Sequence, residues 1–405
     1  MNNKDVIRKA AETYSSFYLY DEKNILRHIN TLKTRFPSAE FLYSVKCNPH
    51  AHILNTVFSQ GLGADAASYA EVEYALERGV GKDMIFYSAP GKSRKDISRA
   101  LTTATLIADS LSEITRIREA AEAQACPTEI GIRINPEFTF DGPGGVPSKF
   151  GIDEADALDY LLNAKDDPFL KVTGIHVHAK SQELSAATIH RYYENVFALA
   201  GRVEAALGRP LEYINFGSGI GIPYSPKEDW VDLEWLGAQM EASIAAYRQN
   251  HPDTRLLIEV GRFVVGKSGV YASRVLDRKV SHGKTFILLH NTLTGFYRPS
   301  VARMIARYTD QEDAVPTEPM FTGFDAFEIS AITDCTEQES ITLMGNLCTA
   351  ADIVADGITL PKLNEGDVVV FTNAGSYAAV LTPMQFSSQE MPAQLFLTAD
   401  GELKK

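Results

Sequence analysis

The sequence predicts an α/β architecture: an eight-stranded β/α barrel with a separate β-rich domain on its C-terminal side. Three observations predict it. Between Phe41 and Gly261, eight short apolar runs alternate with longer amphipathic stretches. From about Ser268 that rhythm gives way to apolar strands separated by short turns, with few helical patterns. The chain is 405 residues long, more than one ordinary small core accommodates. Continuous apolar strands with helices between them mark a parallel sheet, and eight such units suggest a closed barrel.

The elements follow in order. FYLYD (17–21) is strand-like and precedes the barrel series, so segment 1–24 is expected to join the β domain. The barrel is expected over 25–265. FLYSVKC (41–47) opens it and leads into AHILNTVFSQG, and GADAAS (63–68) leads into AEVEYALERGV. MIFYSA (84–89) precedes KDISRALTT, and TLIAD (105–109) precedes SEITRIREAAEAQ. EIGIRIN (129–135), VTGIHVHA (172–179), YINFGSG (213–219) and RLLIEVG (255–261) complete the series. In the β domain, 266–405, ASRVLDRKV, KTFILLH, ESITLMG, DIVADGITL, DVVVFTN and AQLFLTA read as strands. Their short connections predict an antiparallel barrel or sandwich. Val368 to Gln389 is uncharged and long enough to span a bilayer, but Asn373, Gly375, Ser376, Pro383 and Gln385 interrupt any apolar helix. Two buried strands around a turn are expected there.

Composition narrows the function. Apolar residues are 45% and charged residues 22%, a globular balance. A formal net charge of -13 argues against general attraction to nucleic acid or an anionic membrane, and leaves room for a local basic pocket. The N-terminus, MNNKDVIRKAAETYSS, has no apolar core of signal-peptide length. Cys47, Cys126, Cys335 and Cys348 are spaced as neither a zinc site nor a disulfide framework. A reduced, cytoplasmic enzyme without a metal is expected.

Four motifs carry chemistry. Lys46, in Tyr43-Ser-Val-Lys46-Cys-Asn-Pro, ends the first barrel strand, the edge where barrel enzymes place catalytic groups. Partial desolvation there would lower its pKa and suit Schiff-base chemistry; a solvated lysine opening a loop is the plain alternative. Asn215-Phe-Gly217-Ser-Gly219-Ile-Gly221 would let backbone N–H groups converge on a phosphate, or simply make a tight turn. Glu259-Val-Gly261-Arg262 sets an acid beside a guanidinium at the next strand end, and alone could be a salt bridge. In His176-Val-His178-Ala-Lys180-Ser181-Gln182, alternation puts both histidines on one face, for a metal, for ring stacking or for core packing. Metal is the least favoured of these, with no carboxylate at ligand spacing. Together, an amine, a phosphate cradle, a flat imidazole and a carboxylate form the set that pyridoxal 5′-phosphate needs.

On these motifs, in this order over nearly the whole chain, the sequence resembles the fold-type III pyridoxal-phosphate decarboxylases, the ornithine, arginine and diaminopimelate group. The resemblance implies the alanine racemase-like fold. It implies that Lys46 binds the cofactor covalently, that His178 stacks on its ring, and that Glu259 pairs with the pyridine nitrogen. Ser181, Gly217, Gly219 and Arg262 match phosphate positions, and Asp65 and Arg133 match positions lining the cofactor pocket. Gly345-Asn-Leu-Cys348-Thr-Ala-Ala-Asp352 matches the segment that offers an active-site cysteine to a partner subunit, and Tyr377, in Ala374-Gly375-Ser376-Tyr377, matches a tyrosine reaching the cofactor. A head-to-tail homodimer with shared sites is implied.

Departures from the family pattern bear on the substrate. Lys180 stands where the family usually has glycine, and Val260 where it has proline. Thr349 follows Cys348 where relatives carry an acid for the substrate's distal amine. A threonine cannot pair with an ammonium, and losing that charged bond would cost roughly 1.5–3 kcal/mol. Arg298, in Gly295-Phe-Tyr-Arg298-Pro299, matches an arginine placed on a distal carboxylate. With Asp352 these residues are the expected substrate contacts. They point to a substrate with a distal carboxylate and an acylated or absent distal amine, free or carrier-bound. Ser88-Ala-Pro90-Gly91-Lys92 and Gly144-Gly145-Val146-Pro147-Ser148-Lys149-Phe150-Gly151 resemble the siderophore and antibiotic branch. The alternatives are a meso-diaminopimelate decarboxylase and an amino-acid racemase on the same barrel. Glu259 argues against the racemase, because alanine-type racemases face the pyridine nitrogen with arginine.

Overall fold

Eight parallel strands close on themselves in the unit formed by His28–Ile222 and Trp230–Gly261. The computed structural model describes residues 3–163, 167–309, 319–320, 323 and 325–405. In chain order the barrel strands are Glu40–Ser44, Gly63–Ala66, Ile85–Tyr87, Thr105–Ala108, Thr128–Asn135, Leu170–His176, Tyr213–Asn215 and Arg255–Val260. Each pairs in parallel with the next, and Leu257 opposite Glu40 joins the eighth strand to the first. All eight predicted strands are present. All but the fifth, which runs to Asn135 as predicted, stop earlier than their apolar runs suggest, and the residues cut off become loops at the strand ends.

Leu42, Phe86, Ile107, Tyr213 and Leu257 fill the barrel interior. A Cβ at Gly131 or Gly174 would collide with the Tyr213 ring, so two neighbouring strands give up side chains to admit one aromatic. Outside, several helices start where a hydroxyl or carboxylate accepts a free N–H. Ser68, Ser110, Ser185 and Asp232 do so for Glu71, Glu113, Thr188 and Trp235. The longest helix, Ala186–Leu207, ends on Gly208 in the left-handed region.

Met1–Arg27, Pro223–Asp229 and Arg262–Lys405 form the second unit. Its nine-stranded sheet differs from the antiparallel arrangement expected. Ser16–Asp21 lies antiparallel to Gly269–Ser281 but parallel to Ala393–Leu397, and Lys284–Leu289 runs parallel to Gln338–Gly345. Apolar patterning records which face is buried and not which way a neighbour runs, so the mixed pairing was hidden. Val368–Gln389 is a second correction. Only Val368–Phe371 is a strand; Asn373 and Tyr377 then adopt positive φ, and two single turns follow. Helices Asn3–Thr13 and Arg298–Thr309 went unpredicted. Among the described residues no helix is long and apolar enough to cross a membrane.

Candidate active site

In the barrel unit the C-terminal strand ends carry a connected polar cluster. After the first strand, a single turn, Val45–Cys47, presents Lys46. Its Nζ lies 2.8 Å from Asp65 Oδ2, with the lysine side chain 44% exposed and the aspartate fully buried. Asp65 is fixed by two hydroxyls, Ser44 Oγ at 2.9 Å and Ser88 Oγ at 2.6 Å. The amine is thus held by a carboxylate that cannot move, yet stays open to solvent and reactants.

Glu259 ends the eighth strand and is buried. Its Oε1 accepts Asn215 Nδ2 at 2.9 Å, His176 Nε2 lies 3.0 Å from the same oxygen, and His178 Nδ1 lies 3.7 Å from Oε2. Burial alone would raise this carboxyl. His176, then His178 and Lys46, outweigh it and hold Glu259 well below the usual carboxylate range. His176 sits on the sixth strand while His178 lies beyond its end, so the shared strand face expected for the pair does not extend to His178. Both rings nevertheless reach Glu259. Ser181 Oγ meets His178 Nε2 at 3.3 Å, and Arg133 donates to the His178 carbonyl at 3.2 Å. Arg133 thereby steadies the histidine loop. Lys180 turns to Glu183, 3.0 Å away.

Gly217 and Gly219 both have positive φ, and a Cβ would lie 2.7 Å from His178 Nδ1 at the first and 2.6 Å from the Phe140 ring at the second. Only glycine fits this turn. The Gly217 N–H, expected to face a phosphate, instead donates to Asn215 Oδ1 at 2.9 Å.

In the β unit, Arg262 donates to Tyr224 Oη at 2.5 Å and to the Pro319 carbonyl at 2.9 Å, and lies 4.7 Å from the Tyr377 ring centroid. Arg298 is 1% exposed. Its guanidinium donates to the carbonyls of Asn373 and Ser376 and to Tyr224 Oη. Arg298, matched in sequence to an arginine on a distal carboxylate, is thus enclosed by acceptors of its own unit. Asp352, expected as a substrate contact, is fully buried, and its carboxylate accepts from Thr292 Oγ1 and the Leu293 and Leu347 N–H groups. It braces the loop that presents Cys348, which is exposed, and Thr349, which is half-buried. Asn215, Ser88 and Tyr224 were missed as site residues. The first two stood inside quoted motifs, but a hydrogen-bond partner has no signature of its own in a sequence.

A family model described as "pyridoxal-dependent decarboxylase, pyridoxal binding domain" matches residues 22–266. An L-glutamyl-[BtrI acyl-carrier protein] decarboxylase of Niallia circulans is 30% identical, over 94% of this chain and 88% of its own. A 2-[(L-alanin-3-ylcarbamoyl)methyl]-2-hydroxybutanedioate decarboxylase of Staphylococcus aureus is 27% identical, over 95% and 94%. Among solved structures, diaminopimelate decarboxylase of Helicobacter pylori complexed with L-lysine superposes with a TM-score of 0.80 at 27% identity, covering 98% of this chain and 94% of that one.

Proposed function

The chain belongs to the pyridoxal-dependent decarboxylases, and from that premise we propose that it removes the α-carboxylate of an amino-acid group whose distal amine is acylated or absent. Pyridoxal 5′-phosphate is the cofactor of this family, and the residues present fit it. A half-exposed amine stands on a buried carboxylate, and a buried, anionic Glu259 lies beside the His178 ring.

Bound through Lys46, the cofactor supplies an electron sink for the pair left behind when carbon dioxide departs. The protein's own residues set the conditions. Asp65 holds the Lys46 amine in place. Glu259, kept anionic, would accept a hydrogen bond from a protonated pyridine nitrogen, which favours decarboxylation over racemisation. His178 offers a flat face, oriented through Ser181 and through the Arg133 bond to its carbonyl. In the barrel unit Ser181 and Gly219 would bind the phosphate, with Gly217 shaping the turn since its N–H is spent on Asn215 Oδ1, and in the β unit Arg262, 4.7 Å from the Tyr377 ring centroid, is the guanidinium proposed for it. Lys46 and the partner subunit's Cys348 are the two candidates to return a proton to Cα. Exposure of Cys348 on its own unit supports a homodimer with shared sites.

One observation carries the substrate reading. Between Gly345 and Asp352 the single carboxylate is Asp352, and it is buried and fully engaged. Thr349 Oγ1 accepts the Ala351 N–H at 3.2 Å. This loop therefore has no acid to offer a substrate ammonium. The Niallia and staphylococcal relatives, named for carrier-bound and amide-linked groups, support the same class. The second reading is meso-diaminopimelate, for which a Methanothermobacter thermautotrophicus relative at 28% identity is named. Carbon dioxide release from the cofactor-loaded protein separates them. Turnover of glutamyl thioesters or N-acylated diaminopropionate, with little from meso-diaminopimelate or lysine, is expected. Efficient meso-diaminopimelate turnover would overturn the substrate assignment.

A further inference from the structure

At the centre of a buried cluster in the β unit is the Tyr224 hydroxyl oxygen. It accepts from Arg262 at 2.5 Å and from Arg298 at 3.3 Å, and Ser376 Oγ lies 3.3 Å away. Exposures are 6% for Tyr224, 7% for Arg262, 1% for Arg298 and zero for Ser376. Guanidinium groups only donate, so two of the three neighbours offer no acceptor for a phenol proton and both stabilise a negative oxygen. Among the described residues no carboxylate pairs with Arg298; its other bonds go to the Asn373 and Ser376 carbonyls. A buried cation without a counter-charge is costly. The tyrosine oxygen is positioned to supply that charge.

We propose that Tyr224 ionises readily between Arg262 and Arg298, and that in its phenolate form it holds the two guanidiniums together, a positioning residue for both cations. Its proton leaves to solvent and the electron pair stays on the oxygen. The proposal rests on the decarboxylase reading only for what Arg262 does next, which is to receive a phosphate.

The surroundings agree. Burial alone would raise the phenol, but Arg262 and Arg298, with the Ser376 hydrogen bond, bring it down to about 8. Lys267 adds a further cation facing Tyr224, Glu228 accepts the Tyr224 backbone N–H at 2.7 Å, and the Tyr377 ring covers Arg262. Burial instead raises the buried Tyr18, Tyr192, Tyr193, Tyr213 and Tyr271. Tyr224 should therefore titrate well apart from them. An anion arriving at Arg262 competes with the phenolate, so phosphate binding should take up a proton and weaken as pH rises through about 8.

The test is a spectroscopic titration of tyrosinate in the full-length protein without cofactor. One tyrosine's absorbance change, with a midpoint about 8, is expected in the wild type and not in Tyr224→Phe. Arg298→Gln should move the midpoint up by about one pH unit or more through loss of a cation. Inorganic phosphate should also raise it in the wild type. An unchanged titration in Tyr224→Phe, or no tyrosine titrating below about pH 9, would overturn the proposal. Should Tyr224→Phe fail to fold, an unmoved midpoint in Arg298→Gln overturns it equally. A titration that appears as expected but ignores phosphate supports the role of Tyr224 and removes Arg262 from the phosphate site. The two ideas therefore fail separately.

Discussion

Three effects compete at Glu259. Burial disfavours its charge, while two imidazoles and the Lys46 amine favour it, and the cations win. The consequences can be measured in activity and in stability. Glu259→Gln keeps the shape and removes the charge, and should lower kcat about 10²- to 10³-fold, as loss of a preorganised electrostatic partner does. For stability the sign is fixed by the depressed native pKa. Glu259 contributes fully above its unfolded value, about 4.3, and loses that contribution as pH falls toward the native value. The stability gap between wild type and Glu259→Gln, from urea unfolding, should therefore narrow from neutral pH toward acid. A constant gap would contradict the assignment. The acid itself was legible in the sequence because it sits in a motif at a strand end. His176 and Asn215, which set its charge and orientation, could not be matched to it, because they come from two other strands.

Two loops show how an element is held in place. The Gly217–Gly219 turn needs positive φ at both glycines and abuts His178 and Phe140. Gly219→Ala should cost about 1–3 kcal/mol through backbone strain and the ring clash. It should lower Tm by roughly 2–4 °C per kcal/mol, with weaker cofactor binding in an absorbance titration. The second loop, Gly345 to Asp352, is tied by one carboxylate to Thr292, Leu293 and Leu347. Asp352→Ala would strand buried donors, each costing about 1–3 kcal/mol, and should loosen the Cys348 loop. Faster alkylation of Cys348 in that variant, with folding otherwise intact, is the expected readout; an unchanged rate would argue that the loop is held by other means. Strand positions along the barrel were legible because period and length suffice to locate a parallel strand. The brace was not, since an aspartate beside a cysteine looks the same in sequence whether it faces substrate or core.

Across the whole molecule, the β unit is assembled from three separate stretches of chain, with Ser16–Asp21 inserted between Gly269–Ser281 and Ala393–Leu397. Removing the chain through Asp21 would expose two strand edges at once, and such edges template aggregation. That truncated protein should sediment as aggregate at concentrations where the full chain stays in solution; a monodisperse truncation would show that the sheet tolerates the gap. The sequence by itself determined the eight-fold alternation of strand and helix, the lysine at the first strand end, the glycine turn and the acid of the eighth strand. Each of these is written in local periodicity or in one short motif. The tertiary structure alone decided the mixed direction of the β sheet, the burial of Asp352, the histidine pair on Glu259 and the tyrosine between two arginines. Hydrophobic pattern reports which face is covered but not what covers it, and a buried charge takes its chemistry from neighbours that chain folding brings from far away.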